Sequence, residues 1–190
     1  MQWRRPFAAG LNAQALPGIW AADPEEGQRC VEELQRLTWG ALAEMRTVLV
    51  ELRPAVIAET DLGDLLRQLA QAMTGRAPLL EIVVKSEGER KLPPEVQTAF
   101  YRVAQEALSN IVKHANATHA ELRLVRQADA VELSVADDGH GFDPHGVGGG
   151  HLGLGIMRER LESVGGTFSI DSTPDRGTRL RGTWTDAAAT

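Results

Sequence analysis

Within "RVAQEALSNIVKHANAT", residues 102–118, Glu106, Asn110 and His114 stand four apart, with Lys113 one residue aside. On an α-helix that spacing places a carboxylate, an amide and an imidazole on one face, a turn apart. Val103, Ala107, Leu108 and Ile111 supply apolar bulk beside them. A hydrated divalent ion takes an amide or carboxylate oxygen, and a phosphate needs a cation such as Lys113. Mg²⁺ keeps several waters and is completed by substrate phosphates, so a single protein oxygen such as that of Asn110 suffices. Zn²⁺ asks for three or four His, Cys or carboxylate ligands. Mg²⁺ with a nucleotide is therefore the more natural pairing. Taken alone, the pattern also fits the solvated side of an ordinary amphipathic helix.

Two glycine-rich stretches follow. In "VADDGHGFD" a strand ending at Val135 runs into Asp137, Asp138, Gly139 and Gly141. An acidic group there can accept a hydrogen bond from an amino group such as that of adenine, while the glycines let a flat ligand approach the backbone. The bland alternative is a tight turn, since Asp-Gly is a common turn signal. "GVGGGHLGLGIMRER" then packs six glycines, Gly146 to Gly155, ahead of a helix, with Arg158 and Arg160 nearby. Exposed N–H groups feeding a helix N-terminus make an anion site, although such a stretch also fits a flexible linker. It lacks the "GK[ST]" of a P-loop and the strand and third glycine of a dinucleotide fingerprint.

The elements that must hold these groups are readable from periodicity. Leu34, Leu37, Ala41, Met45, Val48 and Leu52 recur at steps of three and four between Pro24 and Arg53, which predicts a helix of about eight turns ended by Pro54. Such a helix either packs in an ordinary core or pairs with the Phe7–Trp20 segment or a second copy, as a dimerising hairpin. Asp61 is the expected N-cap of a helix burying Leu62, Leu65, Leu66, Leu69 and Met73 and closed by Gly75. "PLLEIVVKS" reads as a strand, and Pro93–Pro94 open the helix that carries Glu106. "AELRLVR" and "AVELSVAD" alternate as a hairpin around "QADA". After the glycine loop, Gly139 to Gly155, come a helix "IMRERLESV" and strands "TFSIDST" and "TRLRGTWT" around "PDRG". The expected fold class is α+β, a two-layer sandwich with a largely antiparallel sheet.

Composition bounds the function. At 190 residues, 43% hydrophobic and 24% charged, the chain has a globular composition. Its formal charge of -6 argues against broad attraction to nucleic acid or anionic membrane, so an anionic ligand must be held locally. Cys30 is the only cysteine, which excludes a disulfide framework and suggests a reducing compartment. Asn12, Gln14 and Pro17 interrupt what would be a signal-peptide core, and no stretch has the ~18 uninterrupted apolar residues of a membrane helix. The expected location is the cytoplasm, as a free protein or as the cytoplasmic part of a membrane-anchored parent.

The order of the motifs is more specific than any one of them. "E-x-x-x-N-x-x-K-H", then "D-D-G-x-G-F", "G-L-G-I" and a "G-T" at Gly177–Thr178 resembles the Bergerat-type ATP-binding domain shared by sensor histidine kinases and the wider GHKL ATPases, from Asp61 to about Thr185. "AQEALSNIVKHANAT", "DDGHGFD" and "HLGLGIMRERLESVGG" look most like histidine kinases of the NarX/DegS-like class, whose partners are NarL-type response regulators. "ALAEMRTVLVELRP" resembles their second dimerisation helix. The resemblance implies an incomplete helical dimerisation segment at 1–58, an ATP-binding catalytic domain at 59–186 and a tail at 187–190. It implies ATP and Mg²⁺ as cofactors, with Asn110 ligating Mg²⁺ and Glu106 as general base or water-orienting residue. Lys113 and His114 would lie near the phosphates, and Asp137 would take the adenine amino group. Gly139 and Gly141 would shape the base pocket, with Thr178 closing it. Gly153, Leu154 and Gly155 would meet the phosphates under a lid from roughly Asp143 to Leu152. Phosphoryl transfer by such a site works through positioning and charge neutralisation.

One departure from that pattern stands out. A kinase of this type needs an acceptor histidine on its first dimerisation helix, and the first histidine here is His114. Either the acceptor lies before Met1 and the chain is truncated, the preferred reading, or the acceptor was lost. The function implied is the ATP-binding core of a homodimeric two-component sensor kinase, passing the γ-phosphoryl to a histidine and onward to a response-regulator aspartate. This chain alone would not label itself. A non-catalytic regulatory module and another kind of GHKL ATPase are the alternatives.

Overall fold

A computed structural model describes residues 16, 19–20, 23–32, 54–144 and 152–186. The chain divides into two compact units, Met1–Leu49 and Val50–Thr190. In the first, residues 24–32 are helical. Asp23 caps them, its Oδ1 accepting the N–H groups of Glu25 (3.0 Å) and Glu26 (3.2 Å), with Pro24 in the first turn where its missing N–H does no harm. The rest of the expected long helix, the Phe7–Trp20 partner segment as a whole and the 187–190 tail lie outside the described residues.

The second unit opens with α1 (Pro54–Glu59) and α2 (Leu62–Thr74). Pro54, expected to stop a helix, occupies the first position of one. Asp61 caps α2 as anticipated, its Oδ1 accepting from Gly63 N (2.8 Å) and Asp64 N (3.3 Å). The α2 stripe Leu62, Leu65, Leu66, Leu69 and Met73 is buried. Then come β1 (Glu81–Glu87), α3 (Pro94–Asn110), a π-helical turn (Ile111–Ala115), β2 (His119–Arg126), β3 (Ala130–Asp137), α4 (Leu152–Glu162), β4 (Thr167–Ser172) and β5 (Thr178–Thr185).

The five strands form one sheet in the order β1-β2-β3-β5-β4. β1 and β2 run parallel, in register Glu81 to His119, because the chain between them crosses over through α3. The remaining pairs are antiparallel. Alternation buries Leu122 and Leu124 of β2 and Val131, Leu133 and Val135 of β3, leaving Arg123 on the other face exposed. Phe100, Leu108, Met157 and Leu161 join the same core from α3 and α4, so the helices share one face of the sheet. Gly182 of β5 permits that approach: a Cβ there would stand 2.6 Å from Leu161 Cδ1.

α3 is the central support. Gln97 is the buried polar side chain among the described residues, and its Nε2 donates to the carbonyls of Ile57 and, at 2.8 Å, Thr60. These are carbonyls that the end of α1 leaves without helical partners. Two further boundaries differ from the periodicity reading. The helix of Glu106 widens to π geometry at Ile111–Ala115 before Asn116, at φ 52°, ends it in a left-handed conformation. α4 begins at Leu152 rather than Ile156, so Gly153 and Gly155 belong to its first turns instead of the loop.

Candidate functional site

A cavity of about 440 Å³ opens between the C-terminal half of α3, the π turn, the end of β3 and the start of α4. That is within the roughly 300–1,000 Å³ typical of small-molecule sites. Glu106 and Asn110 line it from α3, Lys113 and His114 from the π turn, and Asp137 and Gly141 from the segment after β3. Gly153 and Leu154 reach it from α4 and Thr178 from β5. Two expected members do not. Gly139 is buried behind the wall, where a Cβ would stand 2.4 Å from the Ala115 carbonyl oxygen; Gly155 is exposed with nothing within 4 Å of its Cβ position. The expected lid lies largely outside the described residues, at 145–151.

The two adjacent aspartates are sorted by the pleat. Asp138 turns away from the cavity: its Oδ1 accepts from Thr118 N and His119 N, each 2.8 Å, and its Oδ2 from Thr118 Oγ1, 2.7 Å. The His119 N–H, then the Thr118 hydroxyl, hold its pKa below the ordinary aspartate value. Asp137 faces the cavity, and burial pushes its pKa up, opposed by the Gly139 N–H at 2.9 Å. A half-buried carboxylate with acceptor capacity left over suits a ligand that brings N–H donors to it.

Close backbone contacts hold this end of the cavity. The Ala115 carbonyl accepts the His140 N–H (2.9 Å), tying the π turn to the Asp-Gly turn. Gly177, at φ 70°, lies so close to Asp137 that a Cβ would be 2.1 Å from its carbonyl oxygen. Only glycine fits both that backbone conformation and that gap. Opposite, a Cβ on Gly153 would stand 2.8 Å from Glu106 Oε1. The first turn of α4 therefore abuts the catalytic candidates.

Periodicity and motif reading had not assigned Ile111, Ala115, Val135, His140, Phe142 and Leu180 to the site, yet all line the cavity. For Val135 and Leu180 the signal was present as strand alternation, but alternation marks the core and the cavity floor alike. Apolar walls, the Asp137 carboxylate with the Thr178 hydroxyl at one end and a polar helix face at the other suit a flat heterocycle joined to an anionic group.

Among the described residues no group of three or more His, Cys, Asp or Glu is placed to hold a metal. A cation beside Asn110 and Glu106 would draw most of its ligands from water and a phosphorylated ligand, which fits Mg²⁺ with a nucleotide. Lys113 supplies a positive charge on the same wall. The donor set thus fits Mg-ATP. Also among the described residues, no helix is long and apolar enough to cross a membrane.

Comparison with known proteins finds similarity in sequence and in fold. Residues 95–187 match the family described as histidine kinase-, DNA gyrase B-, and HSP90-like ATPase. Over 174 residues the chain is 31% identical to sensor protein VraS of Staphylococcus haemolyticus strain JCSC1435, and equally to that of Staphylococcus aureus strain COL, covering 92% of this chain and 49% of each relative. The chain spans about half the length of these curated relatives. The blue-light activated histidine kinase of Erythrobacter litoralis EL346 superimposes with a TM-score of 0.58 at 17% identity, over 85% of this chain and 49% of that one. A mycobacterial sensor histidine kinase, MprB, gives a TM-score of 0.52 at 18% identity, over 66% of this chain and 95% of that one. These structures share the fold. The chain is thus similar to the sensor protein VraS over most of its own length, and its residues 95–187 match the family of histidine kinase-, DNA gyrase B-, and HSP90-like ATPases.

Proposed function

We propose that the chain is the kinase core of a two-component sensor histidine kinase, binding Mg-ATP in the cavity and transferring the γ-phosphoryl group to a histidine. The observation that carries this reading is convergence: Asp137 at one end of one cavity, with Glu106, Asn110 and Lys113 along its α3 and π-turn wall. When bound, Mg-ATP supplies the transferable phosphoryl group and the cation that neutralises its developing charge. Asp137 accepts the adenine amino group, and the Asn110 side-chain oxygen holds the cation. Lys113 and His114 offset phosphate charge, and the first turn of α4 at Gly153 and Leu154 closes on the phosphates. The Glu106 carboxylate orients the attacking nucleophile or takes its proton.

All five histidines, His114, His119, His140, His145 and His151, fall within residues 95–187. None lies in the segment read as the dimerisation hairpin. The proposed acceptor is a histidine that is either outside this chain or lost, with residues 1–58 forming part of a homodimer interface and a NarL-type response regulator receiving the phosphoryl group afterwards. The kinase core would face the cytoplasm. The test supplies a separate acceptor-helix peptide with γ-radiolabelled ATP and Mg²⁺. Acid-labile label on the peptide, absent with Glu106→Gln, is expected. Tight ATP binding without transfer at any peptide concentration would favour the second reading, a non-catalytic regulatory module, which the missing acceptor also suits.

A further inference from the structure

Asp137, Thr178 and Ser172 form a row across three strands: Asp137 pairs in register with Thr178 on β5, and Thr178 with Ser172 on β4. Asp137 and Thr178 line the cavity, and Ser172 sits one strand behind. The Ser172 hydroxyl meets three groups. It receives the Phe142 N–H at 2.9 Å, reaches the Gly177 carbonyl oxygen at 3.1 Å and the Thr178 hydroxyl at 3.0 Å. A serine hydroxyl has one proton and two lone pairs. The amide of Phe142 can only donate and the carbonyl of Gly177 can only accept, so the serine proton goes to Gly177. All three contacts are then satisfied in one way alone, with the Thr178 O–H donating to Ser172.

The consequence falls on the cavity. With its proton committed to Ser172, the Thr178 oxygen offers a ligand only lone pairs. Its neighbour Asp137 already accepts the Gly139 N–H at 2.9 Å, which holds the carboxylate in place. This end of the cavity therefore presents a pair of fixed acceptors. An exocyclic amino group, with two N–H bonds, matches them; a 6-oxo group would set a third oxygen against two others. The same hydroxyl also joins the Asp-Gly turn, through Phe142, to the "PDRG" turn, through Gly177.

We infer that Ser172 is a specificity-determining positioning residue, which fixes the polarity of the Thr178 hydroxyl and thereby selects 6-amino over 6-oxo purine nucleotides. The inference rests on the ATP reading of the cavity. Desolvated acceptors reject a mismatched ligand strongly because the unpaired groups stay buried.

The test compares Mg-ATP with Mg-ITP, whose bases differ in the 6-substituent and, with it, in the proton at N1, by calorimetric titration of the whole chain. The wild-type chain is expected to prefer ATP. Ser172→Ala frees the Thr178 proton to turn toward a 6-oxo group, and should shrink the ITP-to-ATP ratio of Kd values by about tenfold, the size of one hydrogen bond. Ser172→Thr, which keeps the hydroxyl, should restore the ratio. In a Thr178→Val background Ser172→Ala should leave the ratio unchanged, since the group it acts through is gone. A merely structural serine would lower the melting temperature and weaken both nucleotides alike. If Ser172→Ala does not fold, Ser172→Cys, whose thiol is a poor hydrogen-bonding substitute, serves the same comparison. An unaltered ratio in a folded, ATP-binding variant overturns the role of Ser172 alone, whereas a wild-type chain that binds neither nucleotide overturns the ATP reading beneath it.

Discussion

Asp137 and Asp138 are neighbours in sequence, yet their carboxyls shift in opposite directions because one faces a half-buried cavity and the other a set of backbone donors. Each shift predicts a pH dependence with its own sign. The Asp137 pKa is raised in the fold, so folding favours its protonated form, and that advantage is lost as pH rises through the folded value. Asp137→Asn should therefore raise the melting temperature of the nucleotide-free chain at pH 7, by an amount that vanishes in acid, while weakening ATP. The Asp138 pKa is lowered, so its contribution is present above the ordinary aspartate range and disappears as pH falls through the folded value. Asp138→Ala should lower the melting temperature at pH 7 and much less at low pH. Gly153→Ala makes a third test at this scale. It removes a glycine from a helix, a gain of at most about 1 kcal/mol, but its Cβ arrives 2.8 Å from Glu106 Oε1 and must displace that carboxylate. Phosphoryl transfer to the acceptor peptide should fall while the melting temperature holds or rises. Glu106 and Asn110 were legible as candidates from their helical spacing, and Asp137 from the Asp-Gly motif at the end of a strand. Ser172 was not, because a lone serine at a strand end carries no period, and its three partners come from segments up to thirty residues away.

At the scale of elements, α3 links the start of the second unit to the wall of the site. Gln97 fastens its N-terminal turns to the end of α1, and Glu106 and Asn110 project from its other half. Gln97→Leu would leave the Ile57 and Thr60 carbonyls without that donor in a buried setting and should destabilise the unit by about 2 kcal/mol in urea denaturation. Phe100→Ala, at a fully buried position, should cost roughly 3–5 kcal/mol. The starts of α2 and α3 and the β2–β3 hairpin followed from local chemistry: an aspartate cap, a proline in the first turn, strict alternation. The start of α4 did not, because glycine lacks a helical preference of its own and Gly153 is helical where the chain packs against Glu106. The π turn was equally hidden. It accompanies the hydrogen bond from His140 to Ala115, a tertiary contact that no window of residues 102–118 contains.

For the whole molecule, the division at residues 49 and 50 falls inside the segment 1–58 read as dimerising, and every described residue that lines the cavity belongs to the second unit. A fragment comprising residues 54–187 should fold cooperatively and bind ATP with the Kd of the full chain. The parallel β1–β2 pair was implicit in the strand–helix–strand order and needed only the crossover rule. The pairing of β5 between β3 and β4 is a long-range choice that alternation cannot encode. The central claim is that the cavity is a Mg-ATP site with Asp137 at its base end. Isothermal titration calorimetry of the full chain with ATP, in the presence and absence of Mg²⁺ and repeated on Asp137→Asn, tests it most directly. One ATP per chain is expected, bound more tightly with Mg²⁺ and at least about tenfold more weakly in the variant, a difference of ~1.4 kcal/mol. No heat of binding from the wild-type chain, or equal affinity in Asp137→Asn, would contradict it.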